Sequence, residues 1–299
     1  MLPDGFSDLV KLVITDWNWD RLPSTRDEIW NALLYPIFLG ATVRSAQASY
    51  AKEVLDDLLE LKVARKVPND PVWSKKALAV IDMELGGIAG KPGEGFKRAI
   101  LQTTKQEVQS LDLSRTIDTA LKFFDSQSID VKRIKSLQND AKKTLDLVDL
   151  AARSIHNVRY IKGVLWLYGC GIAKELVPPN AHVTRFLHEC GYQGFGWSKE
   201  PADDWQIFTP ACNCMRDVAK KMEAELKRPI TPKQAQAAVW YLQTCRGLLP
   251  TNRKNQLTPS LLIGFLKAQK WSIQQLDDRL GDVEELENLA SDLKAFLWS

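Results

Sequence analysis

At 299 residues, with 45% hydrophobic and 26% charged side chains, the chain can bury one large core or two modest ones, and it is too apolar for a disordered protein. A net charge of +3, from 40 basic and 37 acidic residues, excludes a partner chosen by gross charge alone. No apolar run approaches the roughly 18 residues that span a bilayer, and Met1-Leu2-Pro3-Asp4 starts no signal peptide. The expectation is a soluble, intracellular (cytoplasmic) protein with no membrane contact. Cys170, Cys190, Cys212, Cys214 and Cys245 are odd in number and lack zinc-site spacing. They read as reduced core thiols, with no metal and no cofactor.

In chain order, residues 6–19 are apolar and include Trp17 and Trp19. Pro23-Ser24-Thr25-Arg26-Asp27-Glu28 is a helix start, a hydroxyl cap followed by acids in the first turn, and it opens a core helix over 29–39. Gly40-Ala41-Thr42 interrupts before a further helix over 43–61. Residues 62–98 form a segment without assignment. Within it, Gly86 to Gly95 imitates a phosphate loop, but Pro92 follows Lys91 where Ser or Thr is required, so it reads as a surface loop.

Helical spacing resumes at Phe96. From Lys132 to Lys162 eight basic residues (Lys132, Arg133, Lys135, Lys142, Lys143, Arg153, Arg159, Lys162) face three acids, Asp140, Asp146 and Asp149. A solvated helix surface or a phosphate track both fit such a run. After Gly191 an aromatic loop, Tyr192 to Trp197, breaks the pattern. An amphipathic helix over 209–226 follows, then helices opened by Thr231-Pro232, Thr258-Pro259 and Ser272-Ile273. No strand and no internal repeat is predicted.

The centre of the chain carries the most specific pattern. A basic turn at Lys162-Gly163 precedes the apolar run Val164 to Tyr168; Gly169-Cys170-Gly171 breaks it; Pro178-Pro179-Asn180 then leads into Val183, Phe186 and Leu187 at helical spacing. Asn180 is an N-cap residue by type. The run Pro178-Pro179-Asn180-Ala181-His182-Val183-Thr184-Arg185 resembles the Pro-Val-Asp-x-His-Val-x-Arg motif of the helix-hairpin-helix DNA glycosylase superfamily, the endonuclease III and MutY type. Two positions differ, Pro179 for Val and Asn180 for the catalytic Asp. The family's hairpin, Leu-Pro-Gly-Val-Gly-x-Lys, is matched loosely by Ile161 to Leu167, in a register that places its first glycine at Gly163 and its lyase lysine at Leu167. The alternative register on Gly169 and Gly171 leaves too little chain before Asn180 for the intervening helix.

The resemblance implies an all-α, two-lobed fold with a helix-hairpin-helix element and a cleft between the lobes. Its parts are an N-terminal helical lobe over 1–125 with an insertion at about 62–98, the basic helix, hairpin and catalytic loop over 126–191, and a C-terminal region over 192–299 packing back on the first lobe. The basic piece over 128–137 resembles the helix before the family's hairpin. The family's polar Ser-Gln-Gln-Thr turn is reduced here to Leu39-Gly40-Ala41-Thr42, which leaves Arg44 or Gln47 as the wedge into the DNA stack. The four C-terminal cysteines that hold an iron–sulfur cluster in some members are not matched by Cys212, Cys214 and Cys245.

By the same resemblance the chain is a monofunctional DNA glycosylase, a monomer acting on double-stranded DNA without a cofactor. A carboxylate at position 180 stabilises the positive charge that develops on the sugar as the C1′–N bond breaks. Asn180 keeps the shape and lacks the charge. It is either a deliberate Asp-to-Asn change, which the intact flanking motif favours, or a natural residue in a member that uses another acid or only binds. Glu175 is the reserve acid. Lys162, Gly163, Val164, Lys132, Arg133, Lys135, Arg159, His182 and Arg185 are the DNA-contacting set, with helix capping or an ion pair as the alternative for His182 and Arg185. Trp30, Tyr35, Trp166, Phe195 and Trp197 are walls for a flipped base or plain core. Two other functions compete: a non-catalytic DNA-binding or damage-sensing protein, and a nucleosidase for a free modified nucleoside.

Overall fold

Apolar residues three and four apart, interrupted by Asp, Thr, Ser and Pro at cap positions, make helices wherever the chain is described. The computed structural model describes residues 2–16, 21–38, 113–195, 205–281 and 285–298, and among them no strand occurs. The helices are α1 (Phe6–Asp16), α2 (Arg26–Phe38), α3 (Leu113–Ser126), α4 (Val131–Ser136), α5 (Ala141–Ser154), α6 (Tyr160–Gly169), α7 (Ala181–Glu189), α8 (Trp205–Leu226), α9 (Pro232–Gly247), α10 (Pro259–Gln269), α11 (Ile273–Gly281) and α12 (Glu285–Trp298). Among the described residues no helix is long and apolar enough to cross a membrane. The segment over 62–98, Arg44, Gln47, the Gly86 to Gly95 loop and Trp197 lie outside the described residues, as does the side chain of Tyr35.

The caps are those that the local chemistry predicts. Thr25 Oγ1 accepts the Glu28 N–H at 3.2 Å while Glu28 Oε2 accepts the Ser24 N–H at 2.7 Å. Asp130 and Asp140 accept from Arg133 and Lys143 at 2.7 and 2.9 Å. Thr231 and Gln234 form a reciprocal capping box at α9, and Ser272 and Gln275 do the same at α11.

The chain divides into two compact units, one of residues Leu22–Ile172 and one of Met1–Arg21 with Ala173–Ser299. The division falls inside the 126–191 segment, just after α6. In the first unit α2 packs on α6. That approach depends on Gly169, where a Cβ would meet the Ala32 Cβ at 3.1 Å. Trp30, Phe123, Phe124 and Trp166 form its aromatic core, with ring centroids of neighbouring pairs 5.1 to 6.4 Å apart.

In the second unit α1 packs against α8, α9, α10 and α11, so the N-terminal helix belongs with the C-terminal ones. Its buried residues Phe6, Leu9, Val10, Val13 and Ile14 are a single stripe. Phe6 meets Phe186 with centroids 4.7 Å apart, and Asp16 Oδ2 accepts the Ile273 N–H at 3.0 Å.

One carboxylate in this unit is held against its preference. Asp277 Oδ1 accepts from the Tyr241 hydroxyl at 3.1 Å, yet burial, with Asp278 adding to it, raises the carboxyl to about 6. Its folded pKa lies above its unfolded one, so stability is gained as pH falls from about 6 towards 4 and is lost above that window. Asp277→Asn keeps the acceptor and removes the charge. It is expected to stabilise the protein at pH 7 by about 2 kcal/mol and to flatten the pH dependence between 4 and 7 in thermal melts. An unchanged pH profile would show that Asp277 is not the group responsible.

Candidate functional site

Residues 155–159 form the turn between α5 and α6, with Asn157 in the left-handed region at φ 58°. This corrects the hairpin register. Gly163 is not a turn glycine: its N–H donates to Arg159 O at 2.8 Å inside α6. It is a glycine because α5 lies against it, where a Cβ would meet Val148 Cγ1 at 3.1 Å. Gly163 and Val164 are buried, so neither backbone is placed to hold a phosphate. The N-cap residue of α6, Arg159, makes no side-chain capping bond.

Lys132, Arg133, Lys135, Lys142 and Arg159 are exposed. Of the nearby acids, Asp140 pairs with Lys143 at 2.9 Å and Asp149 with Arg153 at 3.0 Å. The other five cations have no carboxylate partner among the described residues. Lys162 is half-buried. A cationic surface over α4, α5 and the start of α6 is therefore present in the first unit.

α6 ends where the sequence breaks. Gly171 and Ala173 take φ of 70° and 62°, and the Gly171 and Ile172 N–H groups close the end on Tyr168 O and Leu167 O at 2.9 and 3.0 Å. The loop that follows is tied down within the second unit. Val177 N–H donates to Cys212 Sγ at 3.3 Å, and that thiol donates back to Val177 O at 3.6 Å. Asn180 N–H donates to Pro178 O at 2.8 Å.

Asn180 then caps α7. Its Oδ1 accepts from His182 and Val183 N–H, both at 3.1 Å. Its Nδ2 makes no hydrogen bond with a described residue, and the side chain is half-buried. α7 is held on two sides. The Lys233 N–H of α9 donates to Lys174 O at 3.1 Å before it, and Glu189 pairs with Arg246 at 2.7 Å at its far end. Beyond α7, Tyr192 donates to Asp217, with Lys221 2.9 Å from the same carboxylate and 3.1 Å from the Tyr192 oxygen; these bonds fix the aromatic loop to α8. Sequence reasoning missed all of these α8 and α9 partners. Only the polar residues inside the apolar run of α9 hinted at them.

The other predicted site residues fall out as follows. Glu175 lies 3.5 Å from Arg216, both partly exposed. Burial, then the Arg185 charge, lowers His182 to about 4. Neutral at physiological pH, it can meet a phosphate as an N–H donor and not as a cation. Arg185 is half-buried on the same helix. Trp166 is fully buried and its Nε1 donates to Ile29 O at 3.2 Å, so it is core and not a base wall. Trp30 is 4% exposed in the same aromatic cluster, and Phe195 is 8% exposed, with its carbonyl 2.8 Å from His188 Nδ1. None of the five cysteines forms a disulfide, and four of them are buried.

No known protein family, no curated protein and no solved structure matches the chain.

Proposed function

We propose that the chain is a DNA glycosylase of the helix-hairpin-helix kind, hydrolysing the N-glycosidic bond of a modified base flipped from double-stranded DNA, with Asn180 standing where the reaction calls for a carboxylate. The two-lobed arrangement and the monomeric state belong to this reading. The observation that carries it is the side chain at position 180. It sits at the N-cap of α7 with one atom committed to the cap and a second without a hydrogen-bond partner among the described residues, on a helix braced at its far end and in the loop before it. A carboxylate there has one oxygen fixed in place and the other presented to a sugar. Lys132, Arg133, Lys135, Lys142 and Arg159, which have no carboxylate partner among the described residues, supply phosphate contacts that position DNA without reading sequence.

DNA affinity is expected to fall with salt, log affinity against log salt sloping by about −0.9 for each phosphate contacted. Gel-shift or anisotropy titrations with an abasic duplex measure it, and a slope near zero removes nucleic acid from the reading. The missing charge at Asn180 also favours a second reading, a protein that binds DNA without cutting it.

Excision, where it occurs, is expected to leave an intact abasic strand. The turn over 155–159 holds no lysine and Leu167 is fully buried, so neither presents an amine for a Schiff base. A borohydride-trapped protein–DNA adduct would overturn this and direct attention to Lys162 and Lys174.

A further inference from the structure

α9 is buried along nearly its whole length, yet Lys233, Gln236, Gln243 and Thr244 on it are only 5%, 6%, 4% and 8% exposed. Polar groups at that depth are kept where something hydrogen-bonds them. Gln243 Nε2 and Thr244 Oγ1 have no hydrogen-bond partner among the described residues. Lys233, Gln236, Trp240 and Gln243 follow one another at intervals of three and four residues, so they share one stripe of the helix. Ala238, Tyr241, Leu242 and Cys245, all within 1% of full burial, make up the opposite, apolar face. Trp240 is half-buried in the middle of the polar stripe.

α9 packs against α7, the helix that Asn180 caps. The two helices pack together, joined by Lys174–Lys233 at one end and Glu189–Arg246 at the other, so they run in the same direction. Nine residues before Glu189 is Asn180, and nine before Arg246 is Ala237. At about 1.5 Å of rise per residue on both helices, parallel axes would bring Asn180 level with the turn of α9 between Gln236 and Trp240.

We propose that Gln236, Trp240 and Gln243 form the face that reads the substrate's ring, a planar nitrogen heterocycle with a hydrogen-bond acceptor and a donor on its edge. The proposal rests on the glycosylase reading and adds to it the element that recognises the base. A carboxamide presents a donor and an acceptor side by side and matches a base edge with two bonds. The indole offers a stacking face. The Gln243 amide gains, when the ring arrives, the acceptor it lacks in the protein alone.

The test uses the full chain holding an abasic duplex, with free uracil and hypoxanthine as probes, in the parent and in Gln236→Leu, Gln243→Leu and Gln243→Glu. At least one base is expected to bind the parent saturably. Each variant is expected to weaken it tenfold or more while affinity for the abasic duplex changes less than twofold. The melting temperature of Gln243→Leu is expected to hold or rise, because an unpartnered amide has been replaced by an apolar group of similar size; a role confined to structure predicts a fall. Base binding that survives the substitutions overturns the proposal, as does a parent that holds the abasic duplex and binds neither base; both outcomes leave the glycosylase reading standing. Failure of the parent to bind the duplex overturns both. Should the leucine variants not fold, Gln243→Glu decides alone, since it keeps the shape and removes the donor.

Discussion

Asn180→Asp is expected to raise single-turnover base release by two to three orders of magnitude while leaving DNA affinity nearly unchanged. The substitution is close to isosteric, and Asp and Asn cap helices about equally well. The two bonds from His182 and Val183 N–H therefore survive, and α7 keeps its start. What changes is the atom now occupied by Nδ2, which becomes a carboxylate oxygen without a hydrogen-bond partner among the described residues. One preorganised electrostatic contact aimed at developing charge contributes roughly 3–4 kcal/mol to the transition state. The added charge faces a polyanion and weakens ground-state binding slightly. The measurement is single-turnover release by both proteins on one panel of modified duplexes. Equal rates on a substrate that is cut would place the acid elsewhere, with Glu175 the next residue to test despite its pairing with Arg216. No release by either protein would leave DNA binding as the function.

Arg246→Leu is expected to destabilise the protein by about 3–5 kcal/mol, the cost of removing one partner from a buried ion pair. Arg246 is 7% exposed. It gives one nitrogen to Glu189 at 2.7 Å and another to Leu257 O at 2.8 Å. Without it, Glu189, whose Oε1 already lacks a partner among the described residues, is a largely buried charge without a cation to pair with among them. Much of the loss is therefore the stranded carboxylate and not the absent bond. Adding Glu189→Leu should recover most of the stability, and a double-mutant cycle in urea melts reads the coupling directly. A single-mutant cost below about 1 kcal/mol would put the pair in the class of solvent-screened surface bridges. Because the same pair holds the far end of α7, the single variant carrying Asn180→Asp should also lose rate in proportion to the disorder introduced at residue 180.

The helices and their starts were legible in the sequence because capping is local. Asn180, Thr231 and Thr258 each accept from a backbone N–H two or three residues ahead, a contact that spacing alone specifies; Asp130 and Asp140 do the same at α4 and α5 and were not read as starts. The place of Asn180 at the mouth of α7 was readable for the same reason. The hairpin turn was not. Glycine serves both turns and close helix packing, and nothing local separates them. Only the approach of Val148 shows that Gly163 serves packing, while the left-handed turn residue is Asn157. Aromatic side chains were equally ambiguous: Trp166 and Trp30 read as base walls or as core, and their neighbours Phe123 and Phe124 decide for core. The braces on α7 were beyond sequence altogether, since Glu189 meets Arg246 and Val177 meets Cys212 across 57 and 35 residues of chain. Local composition thus determined which segments are helical and what starts them. Tertiary packing alone decided which glycine turns, which ring is buried, which cations lack a carboxylate partner, and which residues hold position 180 in place, because each depends on groups brought together from distant parts of the chain.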